Sequence, residues 1–413
     1  MKTEKVDVLV IGAGPAGSVA AAIVNKYGLN VKMVEKLKFP RFVIGESLLP
    51  RSMDAFEEAG FLPALKAKGF QEKFGAKFVR GEEVCDFNFS DQHTKGWNWT
   101  WQVPREDFDL LLAEENIKMG IPVEFETGVT DIQFNGSDSI TTVVDKEGNQ
   151  KQIEAKFIID ASGYGRVIPN LFKLDRPSDL PPRKTLFTHI LDTKRNSYDE
   201  PNRIIIIDHA PGIWIWVIPF SNGYTSVGFV GKPDFFEKAT GTPEEQLRQL
   251  IATENHIAER FENAEFRFEP RTIQSWSVTT EKFYGDGFVL TGNVTEFLDP
   301  VFSSGVTLAV SSSQLAAHLV GRQLAKGETI DWQKEYFETM MQGVDTFRTY
   351  VNAWYDGTLQ TIFFAPTTTQ SIKNQICSVL AGYVWDTDNP FVKKHSTAVA
   401  ALAKVISYET VES

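Results

Sequence analysis

The sequence predicts an α/β fold in which a mostly parallel sheet is interrupted by an antiparallel sheet domain and followed by a helical segment. Three observations support this prediction. A buried strand, a glycine-rich turn, a helix and a second strand follow one another over residues 6–34, which is the order of a βαβ unit. Apolar segments joined by tight turns run from 184 to 279, as in an antiparallel sheet. From about residue 329 the pattern is helical and rich in aromatic residues.

The composition limits the classes of partner. The chain has 413 residues, 42% of them hydrophobic and 23% charged, and this length favours more than one domain. The formal net charge of −12 disfavours nucleic acid and anionic membranes as main partners. Cys85 and Cys377 follow no metal-binding spacing. Because of this cysteine spacing, we expect no metal site. Because no apolar run is long enough to span a bilayer and no leader precedes the first strand, we expect a cytoplasmic protein.

The N-terminal βαβ unit carries a nucleotide-binding turn. Gly12, Gly14 and Gly17 form G-x-G-x-x-G between the strand and the helix. The first glycine permits the tight turn, the second lets the backbone approach a pyrophosphate, and the third lets the helix pack closely on the strand. Glu35 ends the second strand, where an acidic side chain accepts hydrogen bonds from a ribose. The combination predicts a dinucleotide site at the helix N-terminus.

FAD and NAD both bind to such a turn, and three further segments favour FAD. In QVPREDFDLLL, Arg105 stands just before a helix, within reach of the phosphate side of the cofactor. FIIDASG, residues 157–163, is a strand that runs into a turn of small residues. GFVLTGNVTEF, residues 287–297, is similar to the second pyrophosphate-side motif of the same fold.

Together these segments resemble the FAD-dependent monooxygenases of the p-hydroxybenzoate hydroxylase type, a superfamily that includes aromatic hydroxylases, geranylgeranyl reductases and flavin-dependent halogenases. The resemblance covers nearly the whole chain. It implies a Rossmann-like FAD-binding domain, an inserted α+β substrate domain with an antiparallel sheet, and a C-terminal helical cap. The expected boundaries are 1–75, 102–180 and 280–330 for the FAD-binding domain, 76–101 and 181–279 for the substrate domain, and 331–413 for the cap.

The resemblance also implies which residues hold FAD, without a covalent bond. One motif of the family normally reads Gly-Asp, and its Asp bonds the ribityl chain. This sequence has Gly292–Asn293 instead, and an asparagine retains a neutral hydrogen bond. The expected cofactor-binding residues are Gly12, Ala13, Gly14, Pro15, Ala16, Gly17, Glu35, Lys36, Arg41, Glu46, Ser47, Arg105, Val129, Ala161, Ser162, Gly163, Gly292, Asn293, Pro300, Gly305 and Val306.

Two segments are similar to the halogenase branch of the superfamily. GIWIWVIPF contains W-x-W-x-I-P, with Trp214 and Trp216, which resembles the halogenase fingerprint; geranylgeranyl reductases carry a related strand. GESLLP, residues 45–50, is similar to the flavin-side loop of halogenases that act on phenols or pyrroles. The period of two puts both tryptophans on one face of a buried strand. We expect them to form a wall between flavin and substrate.

A lysine follows the GESLLP loop in family halogenases, just before a strand, and Lys73 occupies the matching position. The resemblance implies that its amine hydrogen-bonds hypohalous acid, or reacts with it to give a haloamine, and so directs an electrophilic halogen. Lys66, Lys68 and Lys77 lie in the same stretch. The alternative is therefore a solvated surface lysine.

A second loop completes the resemblance. FLDPVFSSGVTLA matches the family pattern F-x-x-P-x-x-S-x-G at Phe297, Pro300, Ser303 and Gly305. In the family this loop lies beside the isoalloxazine ring and leads into a helix. We expect Phe297, Pro300 and Ser303 to join the tryptophan wall, and the free N–H groups of Ser304 and Gly305 to bind chloride or bromide. The alternative is a flavin-contacting loop without a halide, as in the hydroxylases.

The predicted function is that of a two-component FAD-dependent halogenase. Because the sequence has no second glycine-rich nicotinamide fingerprint, a separate flavin reductase is expected to supply reduced FAD. The C-terminal segments resemble those of non-tryptophan halogenases, which implies a small phenol, pyrrole or other electron-rich ring, free or attached to a carrier protein. Two alternatives stay open: an aromatic monooxygenase or geranylgeranyl-reductase-like dehydrogenase, and a flavoprotein that binds FAD without turnover.

Overall fold

The first sheet has a parallel centre. The structure, a computed structural model, describes residues 3–178 and 180–412, with the backbone alone for 409–412. Thr3–Ile11 lies between Val31–Val34 and Gln150–Asp160, and all three strands run parallel. The other strands of this eight-stranded sheet are Val123–Glu124, Thr127–Asn135, Asp138–Asp145, Tyr284–Gly285 and Phe288–Leu290. Chain segments more than 120 residues apart in sequence therefore meet at the carboxyl ends of the central strands.

Two long helices cover one face of this sheet. Pro15–Lys26 begins directly after the glycine-rich turn, with a proline in its first turn, and its residues are buried from Pro15 to Val24. A proline is tolerated there because the first N–H groups of a helix have no intrahelical partner. Ser304–Lys326 packs against this helix, where Gly321 leaves room for the Tyr27 ring. Both helices start near the same edge of the sheet.

The second sheet has seven strands and is mostly antiparallel. Its centre is the Trp strand, Ile213–Pro219, which pairs with Ile205–Ala210 and Tyr224–Gly231. The exception is a parallel pairing between Ile205–Ala210 and Gly75–Arg80. The remaining strands are Glu83–Asn88, Lys184–Leu191 and Arg271–Gln274. Two small sheets join Gln71–Lys73 to Thr100–Gln102, and Asp175–Arg176 to Val278–Thr280 and Glu296–Phe297.

Both faces of the Trp strand are buried, as the period-two pattern predicts. Trp214, Trp216 and Ile218 pack in the core that the C-terminal helices complete. Ile215 and Val217 pack on the opposite face, under the helices of the insert. The strand therefore separates two apolar layers.

Helices cover the second sheet on both sides. In the insert, Thr242 begins a helix through the predicted capping box with Glu245. Along the C-terminal region, Thr339–Tyr355 contributes large buried side chains such as Trp354 to the same core as the Trp strand. The other α-helices are Ser52–Ala59, Leu62–Lys68, Arg105–Lys118, Val167–Phe172, Pro233–Phe236, Pro243–Ala252, Asn255–Phe261, Thr358–Phe363, Gln370–Leu380, Pro390–Lys393 and His395–Glu412, and Trp332–Glu338 is a π-helix.

The predicted fold class is confirmed: a Rossmann-like parallel sheet, an antiparallel sheet inserted into it in sequence, and C-terminal helices. The expected domain boundaries stay a prediction. Within residues 3–178 and 180–412, no helix combines the length and apolar character needed to cross a membrane. The same residues contain no group of His, Cys, Asp and Glu side chains that could hold a metal ion. Cys85 and Cys377 are buried free thiols.

Candidate active site

A cleft with a volume of about 290 Å³ runs from the glycine-rich turn to the Trp strand. It joins the carboxyl edge of the parallel sheet to one face of the antiparallel sheet, which is where ligands bind in open α/β sheets. Sequence-predicted residues line both ends of it. They are Gly12, Gly14, Pro15, Ala16, Glu35, Arg41, Glu46, Ser47, Arg105, Ala161, Ser162, Gly163, Trp214, Trp216, Asn293, Phe297, Pro300, Ser303, Gly305 and Val306.

The glycine-rich turn has a shape that larger residues cannot take. Gly12 has a φ of +98°, and a Cβ atom there would lie 2.5 Å from the Ala161 carbonyl oxygen. A Cβ on Gly17 would collide with the carbonyl oxygen of Gly12. Gly14 caps the helix without any side-chain hydrogen bond. The first N–H groups of the helix are therefore free for a phosphate.

Glu35 lines the cleft in a fixed orientation. Its Oε2 accepts a hydrogen bond from the Ala13 N–H at 2.9 Å, and its Oε1 accepts one from the Leu37 N–H at 2.9 Å. Each carboxylate oxygen can accept more than one hydrogen bond. The side chain is thus held by the backbone and can still bind a ribose.

Two arginines are fixed beside the turn by one buried carboxylate. Asp109 accepts hydrogen bonds from Arg105 Nε at 2.7 Å and Arg105 Nη2 at 3.0 Å. It also accepts one from Arg41 Nη1 at 2.9 Å. Arg105 Nη1 additionally donates to the carbonyl oxygens of Ile44 and Gly45. We call this group the arginine clamp (Arg41, Arg105 and Asp109); it carries net positive charge next to the free helix N-terminus.

These groups fit FAD. The glycine-rich turn has no room for Cβ atoms, so its backbone is open to close approach by a ligand. The helix N-terminus and the arginine clamp provide hydrogen-bond donors for a pyrophosphate. Glu35 provides an acceptor for a ribose. The cleft continues past them to a chamber with apolar walls at the Trp strand. An extended dinucleotide with a flat ring system would occupy a cleft of this form.

Comparison with known proteins agrees with this geometry. Residues 5–328 match the FAD binding domain family. The chain is 30% identical over 343 residues to the 1H-pyrrole-2-carbonyl-(peptidyl-carrier protein) brominase of Pseudoalteromonas luteoviolacea (strain 2ta16), with 80% of each chain covered. The chain belongs to the FAD-dependent halogenases.

Two solved structures share the fold. A flavoprotein/dehydrogenase from Cytophaga hutchinsonii is 63% identical, with a TM-score of 0.97 over 98% of this chain and 100% of that one. A triple mutant of the flavin-dependent brominase Bmp2 is 25% identical, with a TM-score of 0.82 over 98% of this chain and 99% of that one. Because the chain matches the FAD binding domain family and belongs to the FAD-dependent halogenases, its cofactor is FAD.

In this FAD-dependent halogenase, Lys73 is buried rather than solvated, with 3% of its surface exposed. Its Nζ donates to Ser47 Oγ at 2.8 Å and to the Leu48 carbonyl oxygen at 2.8 Å. Burial, and to a lesser extent the Arg203 guanidinium, lowers the pKa of the Lys73 amine from 10.5 to about 7. Lys73 does not line the cleft, whereas its hydrogen-bond partner Ser47 does.

The expected halide loop forms the start of a long helix. Ser303 has a φ of 56° and precedes the helix Ser304–Lys326, whose N-terminus has no side-chain cap. Gly305 lies under the Phe297 ring, where an added Cβ would be 3.0 Å from a ring carbon. The Ser304 side chain is buried, whereas Gly305 and Ser303 line the cleft. Free backbone N–H groups at this place suit an anion.

The two tryptophans form one wall of the cleft. Their ring centroids are 5.9 Å apart, and both side chains are buried. Trp214 Nε1 donates to the Tyr355 hydroxyl at 3.0 Å, and Trp216 Nε1 donates to Ser226 Oγ at 3.0 Å. The Trp216 ring also lies over Gly228, where any side chain would collide with it. Hydrogen bonding and packing thus fix both rings.

Several expected cofactor residues lie outside the cleft lining, and their roles stay predictions. The Ala13 N–H is bonded to Glu35, and the Gly292 N–H is bonded to Ser312 Oγ. Lys36 is exposed and its side chain lies over Gly128. The others are Gly17, which packs on the turn, and Val129, which packs against the core of the first sheet. Ser304, expected to bind halide, is also outside the lining.

Three residues near the cleft were not expected from the sequence. Asp109 holds the arginine clamp, and its position four residues after Arg105 on a helix is a signal that could have revealed it. Tyr164 lines the cleft and packs edge-on against Phe297. His189 Nε2 lies 2.5 Å from Glu46 Oε1 in a buried pair. No local pattern relates His189 to Glu46, because 143 residues separate them.

Proposed function

We propose that this protein is a halogenase that uses reduced FAD, O₂ and chloride or bromide to halogenate a small electron-rich aromatic ring. The observation that carries the proposal is the buried Lys73 amine, held by Ser47 next to the cleft. A hydroxylase or a flavin carrier has no evident need for a desolvated lysine at this place. Within the expected class of phenols and pyrroles, free or carrier-bound, the P. luteoviolacea brominase, named for a pyrrole attached to a carrier protein, supports the carrier-bound pyrrole.

The two ends of the cleft would have different roles in binding. The arginine clamp, the glycine-rich turn and Glu35 would hold the pyrophosphate and ribose of FAD. When bound and reduced, FAD supplies with O₂ the oxidising equivalents that convert halide to hypohalous acid. The free N–H groups at the start of Ser304–Lys326 would hold the halide at the flavin end of the wall.

Lys73 would act on the hypohalous acid. Its Nζ uses two N–H groups for Ser47 and Leu48, so the protonated amine has a third N–H for the oxygen of the acid. The ring carbon attacks the halogen, the O–halogen bond breaks with its electron pair going to oxygen, and the ring proton is lost. The hydroxide that is left takes up one proton, equivalent to the one lost from the ring, and leaves as water. A hydrogen bond to that oxygen stabilises the developing charge.

The test supplies reduced FAD from a flavin reductase, with O₂, bromide and a panel of phenols and pyrroles, and detects brominated product by mass spectrometry. Lys73→Met should abolish bromination while FAD still binds, as measured by flavin fluorescence. Lys68→Met is the matched control, since Lys68 is a half-exposed lysine paired with Asp107 and should retain activity. Equal bromination by wild type and Lys73→Met would exclude the lysine role.

We also propose a separate flavin reductase as partner and a cytoplasmic location, which the free thiols of Cys85 and Cys377 support. A second candidate function is a dehydrogenase. The name of the flavoprotein/dehydrogenase from C. hutchinsonii, at 63% identity, favours it. Rapid reduction of the bound flavin by NADPH alone, followed in a stopped-flow spectrometer, would support the dehydrogenase. No reduction without an added reductase would support the two-component halogenase.

A further inference from the structure

A buried histidine and a buried glutamate form a pair beside the cofactor cleft. His189 Nε2 and Glu46 Oε1 are 2.5 Å apart, and the two side chains are 2% and 0% exposed. Because an ionised carboxylate only accepts hydrogen bonds, the imidazole donates through Nε2. The second carboxylate oxygen, Oε2, makes no hydrogen bond with the described residues. A buried acceptor without a donor is costly, so Oε2 indicates a ligand that provides the donor.

Glu46 is the member of the pair that a ligand in the cleft can reach. Glu46 lines the cleft, whereas His189 packs behind it. The rings of Phe42, Phe220 and Phe268 surround the imidazole, with centroid distances of 5.7, 5.0 and 4.9 Å. These rings restrict the imidazole, and its N–H in turn fixes Glu46 Oε1. A donor on a ligand therefore meets Oε2.

The pair lies between the arginine clamp and the Trp strand. The carbonyl oxygen of Gly45, directly before Glu46, accepts a hydrogen bond from Arg105 of the clamp at 3.2 Å. Phe220, which packs against His189, directly follows the Trp strand. Because the clamp and the helix N-terminus suit the pyrophosphate, the flavin half of an extended FAD would continue toward the Trp strand. Glu46 therefore faces the flavin half and not the adenosine half.

We propose that Glu46 Oε2 accepts a hydrogen bond from the flavin half of FAD and that His189 is the positioning residue that holds Glu46 for it. The donors of that half are the ribityl hydroxyls and the ring N–H groups. A hydrogen bond to a carboxylate is stronger than one between neutral groups, so the pair contributes to FAD affinity. This inference requires FAD as cofactor but not halogenation, so it holds or fails independently of the proposed function.

The experiment compares FAD with ADP, which has the adenosine and the two phosphates but no flavin, by isothermal calorimetry on the cofactor-free protein. Glu46→Gln keeps the shape of the side chain. Its amide oxygen accepts the hydrogen bond from His189, and its amide N–H groups then face the donors of the flavin half. FAD binding should weaken about tenfold or more, and ADP binding should stay unchanged. An equal loss for FAD and ADP, or no loss for FAD, would overturn the proposal.

Variants of the histidine test the positioning role. His189→Leu removes the donor to Glu46, so it should weaken FAD binding and spare ADP binding. His189→Gln should restore part of the loss, because a side-chain amide can donate to the carboxylate. A merely structural role would lower Tm without separating FAD from ADP. FAD affinity in His189→Leu equal to that of wild type would overturn the role of His189.

A second His–Glu pair supplies the control, and two smaller flavins identify the donor. His209 Nδ1 lies 2.7 Å from Glu254 Oε2, and neither residue lines the cleft, so His209→Leu should bind FAD and ADP like wild type. Riboflavin retains the ribityl chain, whereas lumiflavin has the ring system alone. A loss in Glu46→Gln for both flavins assigns the donor to a ring N–H, and a loss for riboflavin alone assigns it to a ribityl hydroxyl. No loss for either flavin contradicts the proposal.

Discussion

Lys73 Nζ and Ser47 Oγ are 2.8 Å apart, so a lysine removed from solvent is in contact with a hydroxyl group that lines the cofactor cleft. The strand Gln71–Lys73 pairs with Thr100–Gln102, and Ser47 forms a bridge to Gln102. These pairings bring the GESLLP loop and the lysine together. The backbone, and not only the side chains, therefore sets the position of the amine.

Lys73 should make stability depend on pH with a defined sign. Its pKa is about 7 in the folded protein and 10.5 when unfolded, so burial of the cation costs stability fully below pH 7. Between pH 7 and 10.5 the unfolded chain binds more protons, and the cost declines as pH rises. Relative to Lys73→Met, wild type should gain on the order of a few kcal/mol from pH 6.5 to 10. Urea unfolding of both proteins at each pH measures this gain.

The same titration of Lys68→Met provides the control for Lys73. Lys68 is about two-fifths exposed and paired with Asp107, so its difference from wild type should stay flat over that range. Parallel curves for wild type and Lys73→Met would show that the Lys73 amine titrates as in water.

Asp109→Asn should weaken FAD binding by about tenfold or more, since it removes the charge that fixes Arg41 and Arg105. The two guanidinium groups would then repel each other without a shared counter-ion. Quenching of flavin fluorescence gives the Kd. Asp107→Asn, on the same helix but with a surface partner, is the control. An unchanged Kd in Asp109→Asn would mean that the clamp does not contact the cofactor.

Gly12→Ala should destabilise the protein more than Gly28→Ala does. Both glycines have positive φ values, +98° and +75°, so both substitutions introduce backbone strain of roughly 1–3 kcal/mol. Only at Gly12 does the added methyl group also meet a backbone oxygen, that of Ala161. The difference between the two Tm values measures the collision. Equal Tm values would show that Gly12 is required only for its positive φ and not to avoid a collision with Ala161.

Trp216→Ala should raise the hydrogen peroxide released per brominated product, because the wall would no longer keep substrate and oxidant apart. Peroxide is measured by a peroxidase-coupled assay with the flavin reductase in excess. Trp332→Ala is the control, as Trp332 packs on Phe157 in the first sheet. If peroxide release and oxygenated products both match wild type, Trp216 serves packing alone.

Local patterns predicted much of this protein. The βαβ unit, the capping box at Thr242 and the faces of the Trp strand all depend on residues within a few positions of one another. The pairs Glu46–His189 and Arg41–Asp109 do not, because the fold brings them together from distant segments. Their chemistry is visible only once the topology is known. Lys73 is an intermediate case. The family resemblance predicted its position in the sequence, but only the structure shows that its amine is buried.

The two large sheets also constrain how the chain is made. The strand Phe288–Leu290 completes the parallel part of one sheet, and Arg271–Gln274 forms an edge of the other. The strand Gly75–Arg80 cannot form its parallel pairing until the strand Ile205–Ala210 has been synthesised. On the ribosome, the N-terminal half would thus emerge with unpaired strand edges, because the antiparallel sheet is complete only at residue 274 and the parallel sheet only at residue 290. Shorter nascent chains are where this protein is most exposed to aggregation.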